Sequence, residues 1–160
     1  MKELVSIAEK ISAVLTARKQ TIVIAESSTG GLISAALLAV PGASAYFLGG
    51  AVVYTRQSRR ALLEIPDAAL DGIRPSTEPY ALMMARSARE RFSSTWALAE
   101  TGATGPTGNR YGDAAGHSCI AIAGSAEQTM TLETGKPDRL DNMNTFTAAA
   151  LDFLLKAVSK

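Results

Sequence analysis

Two loops rich in hydroxyl groups and glycine carry the residues best suited to binding a small molecule. The first, residues 27–31 (Ser-Ser-Thr-Gly-Gly), follows a β-branched, apolar run at 21–25 and precedes an apolar helical segment. The second, residues 101–108, follows a similar run at 96–99. In an open α/β sheet, ligands bind at the carboxyl ends of strands, where a helix N-terminus offers free N–H groups to an anion. We therefore expect the two loops to form one site at one sheet edge.

Each loop also has a purely structural interpretation. The first matches neither the Walker A spacing nor G-x-G-x-x-G, so it can equally be a helix cap followed by a tight turn. Glu26, at the end of the preceding run, can orient a substrate or simply cap the helix. In the second loop, Thr101 and Thr104 with their glycines can form a nest of N–H groups for an anion, whereas Pro106 is ordinary turn chemistry.

A second group of residues, Ser44, Tyr54 and Arg59, could take part in catalysis. A serine becomes a nucleophile beside a base, and a tyrosine hydroxyl can relay a proton or stabilise an oxyanion. The alternative is that Ser44 caps a turn, Tyr54 is half-buried in a strand and Arg59 lies on a solvated helix face.

Two single residues have a similar pair of interpretations. His117, the only histidine, could do acid–base chemistry or be an ordinary hydrogen-bonded strand residue. Arg139, near the start of the last predicted helix, could hold a phosphate or form a weak surface pair with Asp138 or Asp141.

Hydrophobic periodicity predicts the elements that must position these residues. An amphipathic helix over 2–19 precedes the first strand, and the short turn at 124–125 favours an antiparallel hairpin. The other predicted elements are a helix over 31–40, strands at 49–54 and 95–100, a basic helical turn at 56–60, a helix from Ser76 or Thr77 to Phe92, hairpin strands at 118–123 and 127–133, and a final helix capped by Asp138. This order predicts one domain over residues 1–160, an α/β fold built as a three-layer α/β/α sandwich with a mixed, mostly parallel sheet.

Composition narrows the classes of function. The chain has 160 residues, 47% of them hydrophobic, and a formal net charge of +1. The near-neutral charge and the lack of a basic, aromatic stripe argue against direct nucleic-acid binding. No apolar stretch is long enough to span a membrane and the N-terminus lacks a signal-peptide pattern, so we expect no membrane partner and a cytoplasmic location. A single cysteine, Cys119, excludes internal disulfides and cysteine-based zinc sites.

Five segments together resemble one known family. Residues 25–31 are similar to its A-E-S-C-T-G-G motif, residues 42–47 to G-S-S-x-x-F and residues 49–54 to G-G-x-V-x-Y. Residues 76–78 are similar to V-S-E, and residues 101–106 to T-G-I-A-G-P. On these motifs, which occur in order over nearly the whole chain, the protein resembles the CinA C-terminal domain family of competence/damage-inducible proteins, which includes stand-alone nicotinamide mononucleotide deamidases.

The resemblance implies an amidohydrolase that converts nicotinamide mononucleotide to nicotinate mononucleotide and ammonia, without a metal or other cofactor. It implies that Ser44 attacks the carboxamide carbon, that Tyr54 is an assisting hydroxyl, and that the protein forms a homo-oligomer. The expected contacts to the pyridine mononucleotide substrate come from the two loops and the last helix. They are Ser27, Ser28, Thr29, Gly30, Gly31, Thr101, Gly102, Gly105 and Arg139.

The chain departs from the family pattern where catalysis needs a base. The family has a lysine shortly after the tyrosine, where this sequence has Arg59. Arginine stays protonated and cannot activate a serine, although it can stabilise an oxyanion or a phosphate. His117 could replace the base only if the fold brings it beside Ser44. Two alternatives remain: a divergent domain that binds a nucleotide-type ligand without turnover, and an interaction domain for DNA uptake or damage responses.

Overall fold

A five-stranded mixed sheet forms the centre of the molecule, with helices on both faces. The structure is a computed structural model that describes residues 1–160. The strands are β1 (Ile22–Glu26), β2 (Phe47–Val52), β3 (Trp96–Ala103), β4 (His117–Ala123) and β5 (Gln128–Glu133). The helices are α1 (Lys2–Ala17), α2 (Leu32–Leu38), α3 (Arg56–Leu63), α4 (Glu78–Phe92) and α5 (Arg139–Val158). Short 3₁₀ segments lie at Ala43–Ala45 and Asp67–Leu70.

The sheet order places three parallel strands side by side. The order is β2-β1-β3-β4-β5, and β1 pairs in parallel with both β2 and β3. β4 runs antiparallel to both of its neighbours, so it alone opposes the common strand direction. The carboxyl ends of β1, β2 and β3 therefore lie at one edge of the sheet, together with the amino end of β4. Both predicted loops leave the sheet at this edge.

Two apolar cores separate the sheet from the two helical layers. α1, α2 and α5 cover one face, with the α1 stripe of Leu4, Ala8, Ile11 and Leu15 buried against it. α3 and α4 cover the other face. Because helices cover both faces, every residue of β1 and of β4 is buried. This is the three-layer α/β/α sandwich with a mixed sheet that the order of elements predicts. None of the helices is long and apolar enough to cross a lipid bilayer.

Two elements near the site differ from the sequence expectation. α2 is shorter than the predicted helix over 31–40, which is apolar along most of its length, and Leu38 at its end is 64% exposed. β3 continues to Ala103, past the predicted end at residue 100, because it pairs with β4 through Thr101, Gly102 and Ala103. A Cβ on Gly102 would lie 2.3 Å from the carbonyl oxygen of His117, so only glycine permits this close pairing. The start of the predicted second loop is therefore strand.

Candidate functional site

Two buried carboxylates hold the first loop in place. Glu26 ends β1 and accepts hydrogen bonds from the amides of Ile33 (3.1 Å) and Ser34 (3.0 Å) at the start of α2. Its oxygens also accept from the hydroxyls of Ser34 (2.6 Å) and Thr29 (2.7 Å). The N-cap position of α2 is Gly31, and Glu26 caps the helix from β1 by accepting from its first-turn amides, where a carboxylate interacts favourably with the helix N-terminus. Of its two sequence interpretations, the structure places it in the capping one.

Glu100, on the adjacent strand β3, accepts hydrogen bonds from the same loop. Its carboxylate accepts from the amides of Ser27 (3.2 Å) and Thr29 (3.0 Å) and from the hydroxyls of Ser28 and Ser118 (3.0 Å for Ser118). Burial raises the pKa of Glu100, and the hydrogen bonds from these donors offset only part of that effect. Sequence reasoning missed Glu100. Its signal was the one that marks Glu26: a carboxylate directly after an apolar run.

Ser27 is the one residue of the first loop whose hydroxyl stays available to a ligand. The hydroxyls of Ser28 and Thr29 are buried and turned toward the carboxylates, whereas Ser27 is half-buried and its Oγ has no hydrogen-bond partner within the chain. Gly30 and Gly31 adopt positive φ values of 66° and 103°, which turn the chain into α2. Neither glycine lines a cavity, so the structure gives these two predicted contacts a role in the turn.

The two loops meet at a pair of adjoining cavities. The first cavity has a volume of about 390 Å³ and contains Ser27, Tyr54 and Thr101 in its wall. The second, of about 200 Å³, contains Ser28, Gly105 and Arg139. Tyr54, Gly102 and Asn109 border both cavities, which therefore adjoin, and we call the pair of cavities the cleft. The predicted convergence of the loops at one edge of the sheet is present in the fold.

Arg139 connects the second loop to Tyr54. Its guanidinium donates to the carbonyl of Gly105 (2.7 Å) and to the hydroxyl of Tyr54 (3.3 Å), and it forms no ion pair with Asp138 or Asp141. The alternative of a surface pair is therefore wrong for Arg139. Tyr54 follows β2 rather than lying within it and is 60% exposed, which differs from the predicted half-buried strand position.

Arg59 lies in the wall of the first cavity but is only 1% exposed. Its Nε donates to the carbonyl of Ile65 (3.3 Å), and its terminal nitrogen pairs with the carboxylate of Asp67. The alternative of a solvated helix face is wrong, because α3 turns this side chain inward. A guanidinium that stays protonated, bonded here through Nε and one terminal nitrogen, offers charge to the cleft and no proton acceptor.

Three other arginines make the cleft cationic. Arg56 and Arg110 border the first cavity and Arg139 the second, and none of the three has a carboxylate partner. The segment that carries Arg110 is fixed by Asp113, which pairs with both terminal nitrogens of Arg74 (2.7 and 3.0 Å). Unpaired guanidinium groups around a polar cavity suit an anionic ligand such as a phosphate.

Comparisons with known proteins decide the family. The family model described as "CinA C-terminal domain" matches residues 4–158. The chain belongs to this family. A CinA-like protein from Synechococcus sp. (strain CC9902) is 43% identical over 105 residues, which are 66% of this chain and 25% of that protein. A CinA-like protein from Chlorobaculum tepidum is 35% identical over 156 residues, covering 94% of this chain and 37% of that protein. The chain thus spans 25% to 37% of the length of these two curated relatives.

Solved structures of CinA proteins share the whole fold. A CinA superfamily protein from Escherichia coli superposes with a TM-score of 0.90 at 26% identity, covering 96% of this chain and 90% of the other. The competence/damage inducible protein CihA from Agrobacterium tumefaciens gives a TM-score of 0.88 at 28% identity, covering 98% and 96%. The three-layer fold described above is therefore the CinA fold.

The structure of this CinA domain does not bring Ser44 to the cleft. Ser44 is exposed in the 3₁₀ segment that precedes β2, and the amide of Ile22, at the amino end of β1, donates to the carbonyl of Tyr46 beside it. β1 and β2 are parallel, so this segment lies at the opposite edge from Ser27. At about 3.3 Å per residue, the length of β1 alone separates the two edges by about 13 Å. Within one copy of the chain, Ser44 therefore does not share a cleft with the loops.

His117 is also remote from Ser44, since it begins β4 at the cleft edge. Its Nε2 lies 2.9 Å from the carbonyl oxygen of Ser76, and its Nδ1 contacts the carboxylate of Glu133. Ser76 borders the first cavity and, like Arg110, is a cleft residue that sequence reasoning missed. No group of three or more His, Cys, Asp or Glu side chains is placed to hold a metal ion.

Proposed function

We propose that the cleft binds a pyridine mononucleotide and hydrolyses its carboxamide, with Ser27 rather than Ser44 as the attacking residue. The observation that carries the proposal is the free Ser27 hydroxyl in the same cavity as Tyr54 and the cationic side chains. The CinA-like relatives support the family assignment, and their names state no reaction.

The ligand class follows from the lining of the cleft. A monophosphate suits the second cavity, where Arg139 stands among Thr104, Gly105 and Thr107. The first cavity can then take the pyridine ring beside Tyr54 and Tyr80, with the carboxamide near Ser27. A ligand that joins an aromatic amide to a phosphate would thus occupy both cavities.

The chemistry would be a two-step acyl transfer. Ser27 Oγ forms a bond to the carboxamide carbon, the carbon–nitrogen bond breaks, and ammonia leaves with the proton of the hydroxyl. Water then hydrolyses the ester and regenerates Ser27. Arg59 can stabilise negative charge on the carboxamide oxygen but cannot carry the proton, so we assign that relay to the Tyr54 hydroxyl.

A second candidate function is ligand binding without turnover. The burial and pairing of Arg59, which stands where the family has a lysine, favour this function. The guanidinium is locked to Asp67 and to the carbonyl of Ile65, and the first cavity contains no histidine, lysine or carboxylate in its wall. A serine without a neighbouring base is a weak nucleophile. The same cleft would then recognise the mononucleotide and leave it intact.

One pair of measurements separates these functions. Ammonia release and calorimetric binding are measured with nicotinamide mononucleotide for the wild-type chain and for S27A. Hydrolysis predicts ammonia release that S27A abolishes while binding persists. Binding without ammonia release from the wild-type chain supports the second candidate. The absence of binding would overturn both.

A further inference from the structure

The backbone of Ser76 is held in an unusual conformation in the wall of the first cavity. Its φ is +59°, in the left-handed region that non-glycine residues seldom adopt and that costs about 1 kcal/mol or more. Such a conformation persists when its surroundings fix it from several sides. Ser76 directly precedes Thr77, the N-cap of α4, so its conformation also sets where that helix begins.

Side chains on two strands form hydrogen bonds with the Ser76 backbone. The Ser76 amide donates to the Thr101 hydroxyl on β3 (3.3 Å), and the Ser76 carbonyl accepts a hydrogen bond from Nε2 of His117 on β4 (2.9 Å). Ser76 itself is 5% exposed, and its own Oγ has no hydrogen-bond partner within the chain. Since no buried side-chain polar atom of the chain lacks a partner, this unbonded oxygen is accessible, and Ser76 borders the cavity that also contains Ser27.

The partners of His117 specify which protons its ring carries. The Ser76 carbonyl can only accept, so Nε2 must carry a proton; the Glu133 carboxylate at Nδ1 is also an acceptor. Both nitrogens donating makes the ring an imidazolium. Burial lowers the pKa of His117, but the bonds to Glu133 and Ser76 outweigh burial and leave it raised.

The charges around this ring favour the protonated form. Glu133 contacts it from β5, and Asp113 lies 3.9 Å from Nε2 in the segment before β4. Arg74, from the segment before α4, is paired to Asp113, and Cys119 Sγ lies 3.5 Å from Nε2 on the same strand. Glu78 of α4 accepts hydrogen bonds from the hydroxyls of Thr129 and Thr131 on β5.

Loss of one proton from the ring need not break its bond to Ser76. Glu133, which is 58% exposed, can turn to solvent while the Nε2 proton stays on the Ser76 carbonyl.

We propose that His117 is a positioning residue that fixes the Ser76 backbone and so presents the Ser76 hydroxyl to a ligand in the first cavity. The contact is a charge-assisted hydrogen bond from the β4 ring to a wall residue 41 positions earlier in the chain. The ligand half of this inference rests on the proposed function, whereas the positioning of Ser76 stands without it.

The test uses H117A, H117Q and S76A in the full chain. Glutamine can place an amide N–H near the position of Nε2, so it should restore the bond to Ser76 that alanine removes. We expect H117A to weaken nicotinamide mononucleotide binding roughly tenfold, the size of one charge-assisted hydrogen bond, and H117Q to stay within about threefold of wild type. In a double-mutant cycle, H117A should add little to S76A, because both act through one hydroxyl. Equal binding by H117A, or full additivity with S76A, would overturn the proposal.

A second readout needs no ligand and separates the two proposals. Hydrogen exchange of the Ser76 and Thr77 amides should speed up about tenfold or more in H117A and return toward wild type in H117Q, with β3 amides unchanged. The ¹⁵N resonances of the ring should show Nε2 protonated near neutral pH. Unchanged exchange, or an unprotonated Nε2, would refute the positioning role. If both readouts are as expected but no mononucleotide binds, the proposed function fails and the positioning of Ser76 stands.

Discussion

Glu26 and Glu100, from neighbouring strands, meet at a single hydroxyl. Thr29 Oγ1 lies 2.7 Å from a Glu26 oxygen and 3.2 Å from a Glu100 oxygen. One hydroxyl proton can be donated to only one of these carboxylates at a time. The shorter distance favours donation to Glu26, while the Thr29 amide donates to Glu100 (3.0 Å). The first loop is thus tied through one residue to two buried carboxyl groups.

Replacing Glu100 should separate charge from hydrogen bonding. E100A leaves the buried donors of Ser27, Ser28 and Thr29 without an acceptor, so it should lower the free energy of unfolding by about 3 kcal/mol or more. The melting temperature would fall by roughly 10 °C. E100Q keeps one acceptor for the amides and can donate to serine hydroxyls, so its loss should be under about 1 kcal/mol.

The difference in unfolding free energy between the wild-type chain and E100Q should change with pH in a defined direction. The folded-state pKa of Glu100 is raised, so the native state binds a proton that the unfolded state releases. Wild-type stability relative to E100Q should therefore be highest below the ordinary glutamate pKa of about 4.3 and fall as the pH rises through the folded value. Chemical denaturation at several pH values checks this, and a difference that grows with pH would contradict it.

Ser27 and Ser44 give opposite expectations for activity. S27A should reduce ammonia release at least about 100-fold and leave mononucleotide binding within about threefold, since it removes the attacking oxygen only. S44A changes an exposed turn at the other edge of the sheet, so kcat and KM should stay near wild type. Loss of turnover in S44A with retention in S27A would reverse the assignment.

Arg59→Lys tests whether the missing base limits turnover. A lysine can lose its proton when its pKa is lowered, and a positioned base contributes roughly 100-fold or more to rate. R59K should raise kcat by about tenfold or more with little change in KM. R60K is a matched control, because Arg60 is exposed on the same helix and also pairs with Asp67. An unchanged kcat in R59K would show that something other than this base limits the reaction.

Arg139 should contribute to binding through charge. R139A removes a guanidinium from the second cavity together with its bonds to the Gly105 carbonyl and the Tyr54 hydroxyl. We expect mononucleotide affinity to fall roughly tenfold and to lose part of its salt dependence. R86A is the control, since Arg86 pairs with Glu127 away from the cleft. Equal losses in the two variants would point to a general effect of charge.

Titration of His117 should make the free energy of unfolding depend on pH near neutrality. Its folded-state pKa is raised, so its stabilising contribution is complete below the ordinary value of about 6.5 and is lost as the pH rises through the folded value. H117Q cannot titrate and should lack this slope. Urea denaturation of both proteins across this range, with E133Q as a third variant that removes one carboxylate, provides the measurement.

The sequence was sufficient to predict the sheet layers and the meeting of the two loops. Continuous apolar runs marked β1 and β4, and a hydroxyl-rich segment after each of two strands predicted a shared edge. The hairpin of β4 and β5 followed from a short turn. Each of these signals is carried by residues that are close together in the sequence.

Features that depend on strand order were harder to predict. Ser44 precedes β2, so in a parallel pair with β1 it must lie at the edge away from Ser27, whatever motif it belongs to. The buried state of Arg59 depends on Asp67 and on the carbonyl of Ile65, which no spacing rule links to it. The contact of His117 with Ser76 joins residues 41 positions apart.

The anchored first loop has a consequence for the thermodynamics of association. The amides of Ser27 and Thr29 and the hydroxyls of Ser28 and Thr29 are already bound to Glu26 or Glu100, so the conformational entropy of ordering this segment is lost during folding. A ligand that contacts Ser27 would meet a preorganised surface and need not order the loop. Calorimetry of ligand binding should then show a small conformational-entropy penalty, because the loop that contacts the ligand through Ser27 is already ordered.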